Sequence, residues 1–145
     1  MKIQIYKHKV QYYETDQMGV VHHSNYIRWF EEARLDFLTQ IGLEYAEMER
    51  EDCLSPVVSI SCNYKNSTKF GDTVYIYTKL TKFNGIKYTV TYKIVDAVSK
   101  EIRATGESNH CFVNKEGKLL SLKKEQRKYY DMLVSAVDNE IEEIA

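Results

Sequence analysis

Asp16, Gly19, His22 and His23 fall within one short segment, Thr15–Tyr26 "TDQMGVVHHSNY", placed directly before a run with helical spacing. A carboxylate at such a point can act as a general base, or as a nucleophile toward an activated acyl group. The free N–H groups and positive end of a helix that starts near Ser24 can stabilise an oxygen that gains negative charge. Gly19 lets the chain turn sharply and lets backbone approach a ligand. A base or nucleophile beside an oxyanion site is the minimum for transferring an acyl group to water. Spacing alone favours a plain reading, in which Asp16 bonds its own loop backbone. His22 and His23 are adjacent, so they cannot share a helix face as metal ligands four apart do. No CxxC or HExxH pattern accompanies them, and no metal or other cofactor is expected.

The elements around this segment follow from periodicity. Lys2–Tyr12 alternates polar and apolar residues and predicts a strand. Tyr26, Phe30, Ala33, Phe37 and Ile41 recur at steps of three and four, and Trp29 and Leu38 widen that stripe. They predict a helix buried on more than one side, capped by Ser24 or Asn25 and ended by Gly42. Seventeen such residues would span roughly 25 Å. Leu43–Asp52 predicts a short exposed helix.

From Ser55 onward strands dominate: "VVSISCNY", "TVYIYTKL", "KYTVTYKIV" and "EIRATGESNHCFV". Gly106 marks a bulge or a close approach in the last of these. Asn84-Gly85 predicts a tight hairpin turn, because both residues tolerate positive φ. Lys123–Val134 predicts a terminal helix. One strand, a long helix, a short helix and four successive strands describe an α+β domain whose antiparallel sheet curves around the long helix. The opposite sheet face carries Tyr75, Tyr77, Lys79, Thr89 and Thr91. That mixture predicts a second protein surface and hence an oligomer.

Bulk properties narrow the partners. The 145 residues suit a single domain spanning residues 1–145, and a formal charge of −1 gives no basic face for nucleic acid. No run approaches the length of a membrane span, and the N-terminus lacks a signal-peptide pattern. Cys53, Cys62 and Cys111 are odd in number and widely spaced, as expected for reduced thiols in a cytoplasmic protein.

The stretch Val10–Arg34, "VQYYETDQMGVVHHSNYIRWFEEAR", resembles the signature of the 4-hydroxybenzoyl-CoA thioesterase family of hotdog-fold proteins, and within it the bacterial acyl-CoA thioesterases. The match lies in Thr15-Asp16, Gly19, Val20-Val21, Ser24 and Tyr26, followed by "WFEEAR"; Lys9 departs from the usual Gln or Arg. The resemblance implies a hotdog fold, a sheet of about five strands wrapped around one long central helix. It implies hydrolysis of an acyl-CoA thioester, with Asp16 as the catalytic carboxylate. His23 matches the position whose backbone N–H holds the thioester carbonyl, its side chain either moving a proton or only orienting. Gly19, Val20, Val21, His22 and Tyr26 would line the substrate site. Lys82 and Lys87, flanking the Asn84-Gly85 turn, would meet the phosphates of coenzyme A at a subunit boundary in a homodimer or homotetramer. Glu31 and Arg34, three apart, are read as an ion pair fixing the helix or a subunit contact. Aryl-CoA hydrolysis and acyl-CoA binding without catalysis are the alternatives. A dehydratase acting on acyl carrier protein lacks its His-Phe-Pro segment here.

Overall fold

Alternating apolar residues build most of the sheet, and the computed structural model describes residues 2–142. In chain order the elements are β1 (Lys2–Gln4), β2 (Tyr6–Lys9), a 3-10 turn (Tyr12–Glu14), α1 (Ser24–Gln40), α2 (Tyr45–Arg50), β3 (Val57–Tyr64), β4 (Thr73–Phe83), β5 (Lys87–Asp96), β6 (Ile102–Cys111), α3 (Leu122–Glu125), α4 (Arg127–Ala136) and β7 (Glu140–Glu142). β2, β4, β5, β6 and β3, in that order, form a five-stranded antiparallel sheet. β1 pairs in parallel with β7 in a separate two-stranded sheet.

The expected N-terminal strand is therefore broken. Its first three residues leave the main sheet for β7, a partner with no periodicity signal of its own, and its last residues tighten into the 3-10 turn. The predicted terminal helix is likewise divided at Gln126, whose backbone is not helical (φ −143°, ψ 64°).

α1 is 17 residues long and lies against β2, β3 and β4. Tyr26, Trp29, Phe30, Ala33, Phe37, Leu38 and Ile41 are all buried, so the predicted stripe is the inner face of the helix. Val74, Ile76, Leu80, Tyr88, Val90, Tyr92 and Ile94 meet it from the sheet. Phe30 stacks on Tyr92 at 4.4 Å between ring centroids.

Gly42 ends α1 as expected: its φ is +95°, and Leu43 N–H reaches back to the Leu38 carbonyl at 2.8 Å. Neither Ser24 nor Asn25 caps the start. The helix begins at Ser24 after His23, which makes no side-chain cap. Ser24 N–H instead points at His22 Nδ1 at 3.3 Å.

Gly106 is a close approach and not a bulge. It keeps register with both Cys62 and Tyr92, and a Cβ there would stand 2.3 Å from Phe30 Cε2 and 2.7 Å from the Ser61 carbonyl oxygen. The Asn84-Gly85 turn forms, with Gly85 at φ +95° and Asn84 Oδ1 accepting from Lys87 N–H at 2.8 Å.

β3 departs from simple alternation. Only Ile60 and Cys62 pack toward the core, while Val58 and Tyr64 of the same set are exposed. The strand lies at the sheet edge, so one side has no neighbouring strand to cover it.

Candidate active site

The loop between β2 and α1 is held by backbone bonds that close it on itself. Thr15 and Val21 face each other in an isolated antiparallel bridge, and Val20 faces Lys69 in another. Asp16 N–H donates to the Val20 carbonyl at 2.9 Å, and Gly19 N–H donates to the Asp16 carbonyl at 3.0 Å. Gly19 turns at φ +77°, a conformation that costs glycine little. Inside this ring the Asp16 carboxylate accepts the Met18 N–H at 2.8 Å. One of its oxygens is therefore engaged by its own loop. The side chain is half-buried beside Tyr12, Tyr13, Thr15 and Gln17.

The amide donors at the helix entrance are not equivalent. Val21 N–H is taken by the Thr68 carbonyl at 2.8 Å and His22 N–H by the Glu14 carbonyl at 2.8 Å. Of the three consecutive amides Val21, His22 and His23, only His23 N–H has no acceptor among the described residues. Among these three the free donor is the amide that the family resemblance names. It borders a cavity of about 230 Å³ lined by Val21, His23, Tyr26, Tyr64, Lys65, Asn66 and Ser67. Tyr26 is buried wall, its hydroxyl donating to Thr68 Oγ1 at 3.1 Å. Within one chain, Asp16 and His23 line separate concavities. The His22 and His23 rings lie 4.2 Å apart, and His22 Nδ1 is 2.8 Å from Ser24 Oγ.

Sequence reasoning missed the residue that fixes this loop. Glu14 is buried, and its carboxylate accepts from Gln11 N–H at 2.8 Å, from His8 Nε2 at 2.8 Å and from Trp29 Nε1 at 2.7 Å. Burial alone would raise its pKa; the Gln11 amide, His8 and Trp29 overcome this and hold it below the usual carboxylate range. Asn25 completes the tether, its Nδ2 donating to the Glu14 carbonyl at 2.9 Å. Nothing in the local pattern distinguishes Glu14 from an exposed loop acid. Only the long-range meeting with Trp29 does.

Lys82 and Lys87 do come together. They line a cavity of about 300 Å³ with Val58, Asn84, Thr89, Asn109 and His110. The expected Glu31–Arg34 ion pair does not form: Glu31 is exposed, Arg34 is buried, and no carboxylate lies within 4 Å of its guanidinium among the described residues. Arg34 Nη1 instead donates to Tyr88 Oη at 2.8 Å. The helix turns this residue inward, onto the sheet.

Comparison with known proteins identifies the family and the fold. Residues 10–141 match the family model described as the thioesterase-like superfamily, and the chain belongs to that family. It is 39% identical over 109 residues to the "Putative acyl-CoA thioesterase YneP" of Bacillus subtilis (strain 168), covering 74% of this chain and 78% of that one. It is 38% identical over 123 residues to a "Putative esterase" of Aquifex aeolicus (strain VF5), covering 83% and 92%. Among solved structures it resembles the DHNA-CoA thioesterase from Staphylococcus aureus, with a TM-score of 0.88, 30% identity and coverage of 93% and 91%. The mixed α+β architecture is that of the hotdog thioesterases.

Proposed function

We propose that this protein is a thioester hydrolase that cleaves acyl-CoA to a free acid and coenzyme A. The observation that carries the reading is the free His23 amide at the entrance of α1, close in the chain to a carboxylate, in a family whose named relatives act on CoA thioesters. The thioester carbonyl accepts a hydrogen bond from His23 N–H, which stabilises the oxyanion of the tetrahedral intermediate. Asp16 either attacks the carbonyl carbon, releasing the thiolate and leaving a mixed anhydride for water to open, or deprotonates the water that attacks. Val21 and Tyr26 form the cavity wall, with Gly19, Val20 and His22 shaping the loop.

A second copy of the chain completes the site in this reading. β3 ends the sheet with Val57, Val58 and Tyr64 exposed by 50%, 57% and 48%, a surface suited to strand addition. Lys82 and Lys87 share a cavity with Val58 near one end of β3, while His23 shares one with Tyr64 at the other. These ends lie roughly 23 Å apart at about 3.3 Å per residue. Antiparallel pairing of two β3 strands brings the lysines of one copy toward His23 of the other, so that coenzyme A phosphates and thioester are held by different subunits. In this reading the protein works as a cytoplasmic dimer or tetramer.

Thiol release measured across acyl-CoA esters of graded chain length, with a dihydroxynaphthoyl-CoA included, tests the function. The aryl ester belongs in the panel because of the likeness to the staphylococcal DHNA-CoA thioesterase. Hydrolysis of at least one CoA ester at a kcat/KM above about 10⁴ M⁻¹s⁻¹ is expected. Binding of these esters without thiol release would refute it.

A further inference from the structure

Arg34 is a cation placed where cations are rarely left alone. It is only 3% exposed, makes one side-chain hydrogen bond among the described residues, to Tyr88, and lies 5.9 Å from the centre of the Tyr45 ring. Buried charges are ordinarily paired with an opposite charge. Arg34 borders a small cavity of about 80 Å³, walled also by Ile27, Glu31, Ile60, Ser108 and His110. Ser108 Oγ lies 2.6 Å from Tyr92 Oη and 2.7 Å from His110 Nε2. His110 is 1% exposed, and its Nδ1 makes no well-formed hydrogen bond among the described residues, although the Pro56 carbonyl is near enough to act on the ring. Burial and the Arg34 charge keep the His110 ring neutral, the Pro56 carbonyl opposing weakly. Glu31 is the one acid on the wall; it is exposed and forms no ion pair with the guanidinium.

This cavity and the one at His23 are separate, and each is lined by residues of β3 and of α1 or its entrance. Ile27 follows His23 by one turn of α1, and Ile60 precedes Tyr64 by four residues on β3. Eleven residues separate His23 from Arg34, about 16 Å along the helix axis, and the arginine side chain leans back toward the helix start. An acyl chain anchored by its carbonyl at His23 and running between α1 and β3 reaches the guanidinium with its far end.

We infer that Arg34, with Ser108 and His110, is a subsite for a carboxylate at the far end of a medium-length acyl group, so that the preferred substrates are CoA monothioesters of dicarboxylic acids. The inference rests on the hydrolase reading for its location, and on the uncompensated guanidinium for its chemistry.

The test compares octanedioyl-CoA with octanoyl-CoA. Wild type is expected to favour the dicarboxylic ester at least fivefold in kcat/KM; a smaller preference, or the reverse, overturns the proposal. Arg34→Met should abolish the preference by raising KM for octanedioyl-CoA alone, and Arg34→Lys should retain part of it. Equal loss on both esters marks a purely structural arginine and also overturns it. Should Arg34→Met fail to fold, the wild-type ratio still decides. Calorimetric titration of wild type with octanedioate and octanoate separates the two claims: tighter binding of the diacid without any thioester hydrolysis sinks the hydrolase and leaves the subsite standing.

Discussion

Trp29 Nε1 donates to the Glu14 carboxylate at 2.7 Å, joining the first turns of α1 to the segment that leads into the Asp16 loop. Glu14→Gln keeps the volume but cannot accept from His8, Gln11 and Trp29 together. It should cost about 1–3 kcal/mol, the range for leaving buried partners unsatisfied, and lower Tm by about 2–4 °C per kcal/mol. Trp29→Phe removes one of the same bonds. Thermal melts of the two single variants and the double variant should therefore be less than additive; full additivity would mean that the two residues do not act as a unit.

Stability should fall with acid in two stages. His110, pushed down to about 3 by burial and the Arg34 charge, takes up its proton more readily when unfolded. Its contribution is complete above about pH 6.5 and is lost as pH falls from there toward 3. Glu14 has a folded pKa below its ordinary value, so its contribution is present above about pH 4.5 and is lost as pH falls through the folded pKa. Denaturant titrations at stepped pH should show a decline below pH 6.5 that steepens below 4.5, and His110→Phe should flatten the upper part.

Gly106→Ala tests how tightly α1 is pressed to β6. The added methyl meets the Phe30 ring at 2.3 Å and 2.6 Å and the Ser61 carbonyl at 2.7 Å. A loss of about 1–3 kcal/mol in denaturant unfolding is expected. A substitution within 0.5 kcal/mol of wild type would show that the helix can move away from the sheet.

Lys82 and Lys87 should act on the phosphates of coenzyme A and not on the acyl group. Double truncation to alanine is expected to raise KM for acyl-CoA roughly tenfold, since two solvent-exposed ion contacts are together worth a little over 1 kcal/mol. The KM for thioesters of N-acetylcysteamine, which lack phosphates, should stay unchanged. An equal rise on both would place the lysines elsewhere.

The parts legible in the sequence are those governed by local periodicity. The α1 stripe from Tyr26 to Ile41, the β4–β5 hairpin around Asn84-Gly85 and the αL stop at Gly42 each depend on residues a few positions apart. At Gly106 the sequence permits a bulge or a close approach, and only the arrival of Phe30 from α1 decides between them. Features made by long-range meeting carried no such signal. Glu14 is buried because Trp29 and His8 converge on it, β1 leaves the main sheet because β7 offers it an edge, and Arg34 turns toward Tyr88 instead of Glu31. In the site itself the Gly19 turn was readable from residue type. The His23 amide is singled out only by the family resemblance; residue type and spacing do not show that it stays free, because Thr68 and the Glu14 carbonyl consume the two preceding donors from a distance.

Asp16→Asn is the most direct test of the chemistry. Asparagine can accept the same Met18 N–H that the carboxylate now holds at 2.8 Å, so the loop keeps its shape and only the base or nucleophile is removed. Thiol release from the best acyl-CoA substrate should fall in kcat by at least roughly 10²-fold, with an unchanged Tm. A variant that retains kcat within a few-fold of wild type would contradict the role of Asp16 and the hydrolytic mechanism built on it.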